Sequence, residues 1–125
     1  MVDISQQVAH WSGALEDWQV AEELLQNLHV RQALFFVHLA IEKALKAHVC
    51  RQTGDLAPRT HNLVRLAEIS GLKPSPGALD TLAETNEFVL SGRYPDTTFP
   101  TPSTEEAAVH RRKAEEVFQW LMQKL

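Results

Sequence analysis

The stretch VRQALFFVHLAIEKALKAHV, residues 30–49, decides the fold of this chain. It contains no glycine or proline, and its apolar positions recur every three or four residues, which is the period of an α-helix. One stripe consists of small side chains that let another helix approach closely, namely Ala33, Val37, Ala40, Ala44 and Ala47. Larger apolar side chains form a second stripe. We therefore expect a central helix with neighbours on most sides.

A first long helix is predicted before this stretch, from Ile4 to about Leu28. The apolar positions that advance there by three or four are Val8, Trp11, Leu15, Trp18, Ala21, Leu25 and Leu28. This spacing predicts that they form one buried face of the helix.

Glycine and proline divide the rest of the chain into shorter predicted elements. The expected bounds are a loop over Gln52–Thr60, a short helix from Thr60 or His61 to Gly71, a helix from about Ala78 to Leu90, and an irregular segment over Ser91–Pro102. Ser103 or Thr104, with Glu105 or Glu106, is typical of a helix start, so a last helix is predicted to the C-terminus. We expect an all-α fold: an antiparallel up-and-down bundle of about five helices, forming a single domain over residues 1–125.

Composition restricts the classes of protein that fit. With one cysteine in 125 residues, no intramolecular disulfide or thiolate zinc cluster is possible, which favours a reducing compartment. No stretch approaches the roughly 20 apolar residues that span a bilayer, and the N-terminus has no signal-peptide pattern. We expect a cytoplasmic protein without membrane contact. The net charge of −4 argues against a surface that binds nucleic acid throughout, although a local basic patch stays open.

Three segments taken in order resemble one family. They are His38-Leu-Ala-Ile-Glu-Lys-Ala-Leu-Lys46, Arg59-Thr-His-Asn-Leu63 and Arg93-Tyr-Pro-Asp96, preceded by a first helix with Trp11 and Asp17. The chain is similar over nearly its whole length to the HEPN domains of prokaryotes. The resemblance implies a helical bundle, a two-fold homodimer, and a partner, a minimal nucleotidyltransferase encoded beside it. Some of these pairs are toxin–antitoxin systems.

The resemblance also implies an alternative activity. Active HEPN members are metal-independent ribonucleases that use an arginine followed, after four to six residues, by a histidine near the dimer cleft. In this chain no histidine follows Arg93 until His110. Arg31 and His38 have a matching spacing, but they lie on the predicted second helix and we treat the match as coincidental. A ribonuclease toxin would use Arg93 at the cleaved phosphate and His61 or His38 as acid or base.

The segment Arg93-Tyr94-Pro95-Asp96 is the first candidate binding site. A guanidinium offers a planar fork of donors that suits phosphate, and Tyr94 can stack on a base. The competing interpretation is a local ion pair between Arg93 and Asp96, with Tyr94 closing the end of the bundle. We expect Arg93, Tyr94 and Asp96 to contact a nucleotide or the partner chain.

A second candidate is the polar strip on the second helix. His38, Glu42 and Lys46 are spaced by four and therefore share one helix face, with Lys43 beside them. They can form a polar strip toward a dimer cleft or a nucleotide, in which Lys43 and Lys46 contact phosphate. The alternative is an exposed Glu42–Lys46 pair together with a buried, hydrogen-bonded His38.

His61 is open to two interpretations. At the start of a short helix its ring can bind the backbone and fix the loop, or it can act as a general acid or base, because a free imidazole titrates near pH 6.5. No paired Glu-x-x-His motif supports a metal site, and no glycine-rich phosphate loop is present, so neither a metal nor a cofactor is expected. A nucleotide-binding or regulatory domain without catalysis is a third possible function.

Overall fold

The computed structural model describes residues 4–93 and 101–125, with side chains over residues 5–88 and 101–125. Five helices occupy these ranges: α1 (Ile4–Gln26), α2 (Val30–Thr53), α3 (Leu63–Ile69), α4 (Pro76–Arg93) and α5 (Thr104–Gln123). No strand occurs in the described part of the chain. The predicted all-α helical bundle is confirmed.

α2 is the central helix, as the two apolar stripes predict. It contacts each of the other four helices, and α1 lies along most of its length. The five small side chains of the first stripe are all buried, since Ala33, Val37, Ala40, Ala44 and Ala47 are at most 2% exposed. Their small size allows the neighbouring backbones to approach closely.

The face that α1 buries agrees only in part with the predicted one. Ala14, Trp18 and Ala21 are buried, and the Trp18 ring stacks on Phe118 of α5 with ring centroids 4.7 Å apart. Four other positions of the predicted face are exposed, namely Val8, Trp11, Leu15 and Leu28. The flank of α1 that carries Asp17 also faces α2, where Asp17 Oδ2 lies 2.7 Å from Lys43 Nζ, and the apolar spacing alone did not identify it.

α2 and α3 differ from their predicted bounds by a few residues. α2 continues to Thr53, so the connection begins at Gly54, whose φ of 69° gives the left-handed conformation that commonly ends a helix. α3 begins at Leu63, after Asn62, whose side chain accepts hydrogen bonds from the backbone of Val64 and Arg65. His61 therefore precedes the helix instead of opening it.

α4 is longer than predicted at both ends. It begins at Pro76. Proline is tolerated at the first position of a helix because the N–H that it lacks would have no hydrogen-bond partner within the helix there. It ends at Arg93, so the expectation that Ser91–Arg93 cannot be helical was wrong. A glycine such as Gly92 costs a helix only about 1 kcal/mol, whereas Pro95 is the first residue there that a helix interior rejects.

α5 begins where the sequence predicts it. Ser103 accepts a hydrogen bond from the backbone of Glu106, and the Glu106 carboxylate binds the backbone N–H of Ser103, which forms a complete capping box. At the other end of α5, His48 Nε2 lies 2.8 Å from the carbonyl oxygen of Leu121.

Among the helices in the described ranges, none combines the length and apolar character needed to cross a bilayer.

Candidate functional site around Glu42

Glu42 is a buried carboxylate on α2 that holds three other side chains. It is 5% exposed, and its Oε2 lies 3.2 Å from Lys46 Nζ. Its Oε1 lies 2.9 Å from His61 Nδ1 and 3.6 Å from His38 Nδ1. We call His38, Glu42, Lys46 and His61 the Glu42 cluster. A buried carboxylate needs such partners because an unpaired buried charge is strongly unfavourable.

The cluster contradicts part of the alternative interpretation of the polar strip and leaves its contact with a dimer cleft or a nucleotide a prediction. His38, Glu42 and Lys46 do share one face, as their spacing predicts, and His38 is buried as expected. An exposed Glu42–Lys46 pair is ruled out because Glu42 is buried. The strip is therefore a fixed, partly desolvated network.

His38 lies at the buried end of this network. It is 1% exposed, and no described residue lies in hydrogen-bonding geometry with its buried Nε2. Burial lowers the pKa of His38, while the nearby Glu42 charge acts in the opposite direction. Because desolvation dominates, the imidazole is neutral at neutral pH and contributes no positive charge to the cluster.

His61 lies at the exposed end, with its side chain 51% exposed. The Glu42 carboxylate accepts a hydrogen bond, so the proton of a neutral His61 ring resides on Nδ1. Nε2 is then the atom that can accept a proton from another molecule. A carboxylate that orients an imidazole in this way is the arrangement used in acid–base catalysis.

The segment that carries His61 is fixed by α4. Asn86 Nδ2 donates to Asn62 Oδ1 at 3.0 Å, and Asn86 Oδ1 accepts from the backbone N–H of Leu63 at 3.0 Å. His61 thus contacts the Glu42 side chain instead of the backbone contact considered from its sequence position. Three elements, α2, α4 and the start of α3, determine where its ring lies.

Lys43 lies next to the cluster on the side of α1. Its Nζ is 2.7 Å from Asp17 Oδ2, and its side chain is 36% exposed. The lysine crosses α1 at Gly13, where an added Cβ would lie 2.9 Å from Lys43 Cδ. A glycine at this position therefore gives the lysine its path to Asp17.

His10, on α1, lies near Lys43 and Lys46. Burial is the main cause that lowers its pKa, and the charges of Lys46 and Lys43 lower it further. His10 was not a candidate in the sequence, because its proximity to these lysines depends on packing between helices and not on motif spacing along the chain. Asp17 and Asn86 were likewise not recognised as site residues. For Asp17, the polar flank of α1 was the available signal.

Arg93, Tyr94 and Asp96 are not placed in this site. The α4 backbone reaches Arg93, two helical turns beyond Asn86, but the side chain of Arg93 lies outside the described residues, as do Tyr94 and Asp96. Their roles stay predictions. Within the described ranges, no group of three or more His, Cys, Asp and Glu side chains is arranged to hold a metal ion.

The fold and the Glu42 cluster define a class: a helical bundle whose central helix carries a buried polar network. Residues 8–125 match the family model of the HEPN domain, and the chain belongs to the HEPN family. The fold is similar to that of TT1696 from Thermus thermophilus, with a TM-score of 0.82, 17% identity, and 96% and 98% of the two chains covered.

A second similar structure is ST0689, described as an archaeal HEPN homologue. Its TM-score is 0.73 at 19% identity, with 94% of this chain and 96% of that chain covered. At these identities the two structures show the fold alone. Comparison with curated proteins gave no match.

Proposed function

We propose that this chain is the HEPN partner of a separate minimal nucleotidyltransferase, and that it acts as a homodimer in a cytoplasmic two-component module of toxin–antitoxin-like or nucleotide-binding type. Membership of the HEPN family supports the proposal. The observation that carries it is the Glu42 cluster, which fixes charged and titratable groups at one surface.

The cluster favours binding because its groups are already positioned. Lys46 is held by Glu42 at 3.2 Å and Lys43 by Asp17 at 2.7 Å, so neither side chain must be ordered when a phosphate or a partner arrives. His61 is exposed beside Glu42 and offers a further nitrogen. Such preorganised donors suit the phosphates of a nucleotide held by the partner.

The proposed contact surface consists of Lys43 and Lys46, with the buried Glu42 holding Lys46 from beneath. Arg93, at the end of α4, and Tyr94 and Asp96 are its predicted extension. Arginine and lysine bind phosphate through charge-assisted hydrogen bonds. Tyr94 would offer a hydroxyl for modification by the partner.

Co-expression with the nucleotidyltransferase encoded beside this chain tests the proposal. Size-exclusion chromatography should show one complex that contains both chains, and intact-mass analysis would show any nucleotide added to this chain. An added mass that peptide mapping assigns to Tyr94 would support a contact at the Arg93 segment. Two soluble proteins that elute separately, with this chain unmodified, would contradict the proposal.

A second candidate function is RNA cleavage, which the His61–Glu42 pair specifically favours. His61 Nε2 would take the proton of a ribose 2′-hydroxyl, whose oxygen then attacks the adjacent phosphorus. The bond to the 5′-oxygen breaks, that oxygen receives a proton from water, and a 2′,3′-cyclic phosphate forms. Arg93 would stabilise the charge on the phosphate, and no metal is needed.

Expression of this chain alone tests the ribonuclease candidate. A toxin should arrest growth, and both Arg93→Ala and His61→Ala should abolish the arrest while the variants stay soluble. Normal growth at confirmed soluble expression, with RNA intact in the purified mixture, would reject RNA cleavage. That result would leave the partner proposal unaffected.

A further inference from the structure

His61 has one ring nitrogen fixed by a buried carboxylate, while half of its side chain is open to solvent. Glu42 Oε1 lies 2.9 Å from His61 Nδ1, and the His61 side chain is 51% exposed. Because the carboxylate accepts a hydrogen bond from Nδ1, Nε2 of the neutral ring carries a free electron pair. An imidazole oriented in this way is a nucleophile as well as a base.

Exposure limits the histidines that can react with a molecule in solution. Of the six histidines, only His29 and His61 have exposed side chains. His29 precedes α2, and no described residue forms a hydrogen bond or an ion pair with its ring. Either of its ring nitrogens can therefore carry the proton, and no carboxylate is placed to stabilise a modified ring. His29 is thus the internal reference for the effect of Glu42 on His61.

The charges around His61 favour a phosphoryl group as the reacting species. Lys46 Nζ lies 3.2 Å from Glu42 Oε2, so this lysine and the His61 ring contact the two oxygens of one carboxylate. Arg59, two residues before His61, is exposed and has no ionic or hydrogen-bonding partner among the described residues. A free guanidinium offers phosphoryl oxygens a planar fork of donors, and such cations stabilise a phosphoryl group during transfer.

The backbone beside His61 is held in place as well. Asn62 Oδ1 accepts a hydrogen bond from Asn86 Nδ2 at 3.0 Å and also caps the first turn of α3. Catalysis of phosphoryl transfer depends almost entirely on positioning and electrostatic stabilisation. A ring that is already oriented should therefore react faster than a freely rotating one.

We propose that His61 Nε2 is a phosphoryl acceptor, and that the donor is a phosphoramidate, the chemical class that includes phosphohistidine. The Nε2 electron pair forms a new N–P bond while the N–P bond of the donor breaks. The donor nitrogen, protonated before the reaction, leaves as a neutral amine with the electron pair of the broken bond. The His61 ring keeps its Nδ1 proton and gains a positive charge, which the Glu42 carboxylate stabilises.

The proposal uses the Glu42 cluster but requires no nucleotidyltransferase. It therefore stands or fails separately from the proposed partnership. Phosphorylation would occupy the Nε2 atom that the ribonuclease candidate needs, so a phosphorylated chain could not use His61 as its base. It would also add negative charge beside Lys46, on the surface proposed for partner binding.

Incubation of the purified full chain with potassium phosphoramidate tests the proposal. Intact-mass analysis at alkaline pH, where N–P bonds persist, counts the phosphoryl groups, and peptide mapping assigns them to residues. His61 should be phosphorylated about tenfold or more faster than His29, because a charged hydrogen bond stabilises only the His61 product. Equal rates, or a faster reaction at His29, would overturn the proposal.

Two variants and one control separate the contributions. Arg59→Gln should slow phosphorylation of His61 about tenfold by removing a charge-assisted hydrogen bond, with the rate at His29 unchanged. Glu42→Gln should reduce the preference for His61, and the surface variant Arg59→Gln keeps the test decisive if Glu42→Gln does not fold. Arg112→Gln, an exposed cation on α5, is the control and should change neither rate. An unchanged rate at His61 in folded Arg59→Gln would refute the assignment.

Discussion

Glu42 connects the central helix to the segment before α3 through one carboxylate. Its two oxygens serve Lys46 on the same helix and His61, nineteen positions later in the chain. The spacing of four between Glu42 and Lys46 is visible in the sequence. The contact with His61 was not predictable because it depends on how the connection after α2 folds back, which no local pattern encodes.

Glu42→Gln should destabilise the fold and loosen the His61 segment. The amide keeps the size of the side chain but removes the charge that Lys46 and His61 contact. A loss of about 1–3 kcal/mol in the free energy of unfolding is expected, as for other buried hydrogen bonds to charged groups. Urea denaturation measures it, and hydrogen exchange at Asn62 and Leu63 should accelerate.

Glu68→Gln is the matched control for this change. Glu68 pairs with Arg65 at 3.2 Å on the surface of α3, where both side chains are exposed. Such pairs contribute about 0–1 kcal/mol. Equal effects of the two substitutions would contradict a structural role of the Glu42 cluster.

At the scale of single elements, the helix starts were more predictable than the ends. The capping box at Ser103 and Glu106 is local, so its sequence signature located α5 correctly. α4 ends three residues later than expected because Gly92 was grouped with the prolines that follow it into one irregular segment, although glycine only weakens a helix. The buried face of α1 depends on α2, and the apolar spacing alone could not identify it.

Ser103→Ala should weaken the start of α5. The substitution removes the acceptor for the Glu106 backbone N–H, which lies 3.1 Å from Ser103 Oγ. Loss of an N-cap usually costs about 1 kcal/mol in the free energy of unfolding. Thr104→Ala, one position later and also exposed, is the control. A stability loss that is no larger for Ser103→Ala than for Thr104→Ala would argue against the cap.

Gly13→Ala should move the Lys43 side chain without destabilising the fold. Alanine favours a helix over glycine by up to about 1 kcal/mol, but its Cβ would lie 2.9 Å from Lys43 Cδ. Because the lysine side chain is flexible, it should move away from Asp17 while the fold stays intact. The expected result is an unchanged or higher melting temperature with weaker binding of the proposed nucleotidyltransferase partner. A large loss of stability would contradict this account.

At the scale of the whole molecule, several partly or fully buried histidines make stability depend on pH. Burial is the main cause that lowers the pKa of His10, His38, His48 and His110 below the ordinary 6.5. His110 lies between α4 and α5, where Nε2 is 3.0 Å from Thr85 Oγ and Nδ1 is 3.1 Å from Glu84 Oε1. Each of these histidines takes up its proton more readily in the unfolded chain.

The free energy of unfolding should therefore fall as the pH decreases. Above about pH 6.5 these histidines are neutral in both states, and below it the unfolded chain binds more protons, so stability is lost toward the folded pKa values. Urea titrations between about pH 7.5 and pH 5 measure the effect. His48→Gln should reduce the pH dependence, with the exposed His29→Gln as control. Stability that stays constant or rises on acidification would contradict the account.

The most direct test of the central claim compares the affinities of three forms of this chain for the proposed nucleotidyltransferase partner. The forms are the unchanged chain, Lys43→Ala beside the Glu42 cluster, and Arg112→Ala, an exposed cation on α5. If the partner contacts the surface around the cluster, Lys43→Ala should raise the Kd about tenfold while Arg112→Ala leaves it unchanged. Equal Kd values for all three forms would show that the partner does not use this surface.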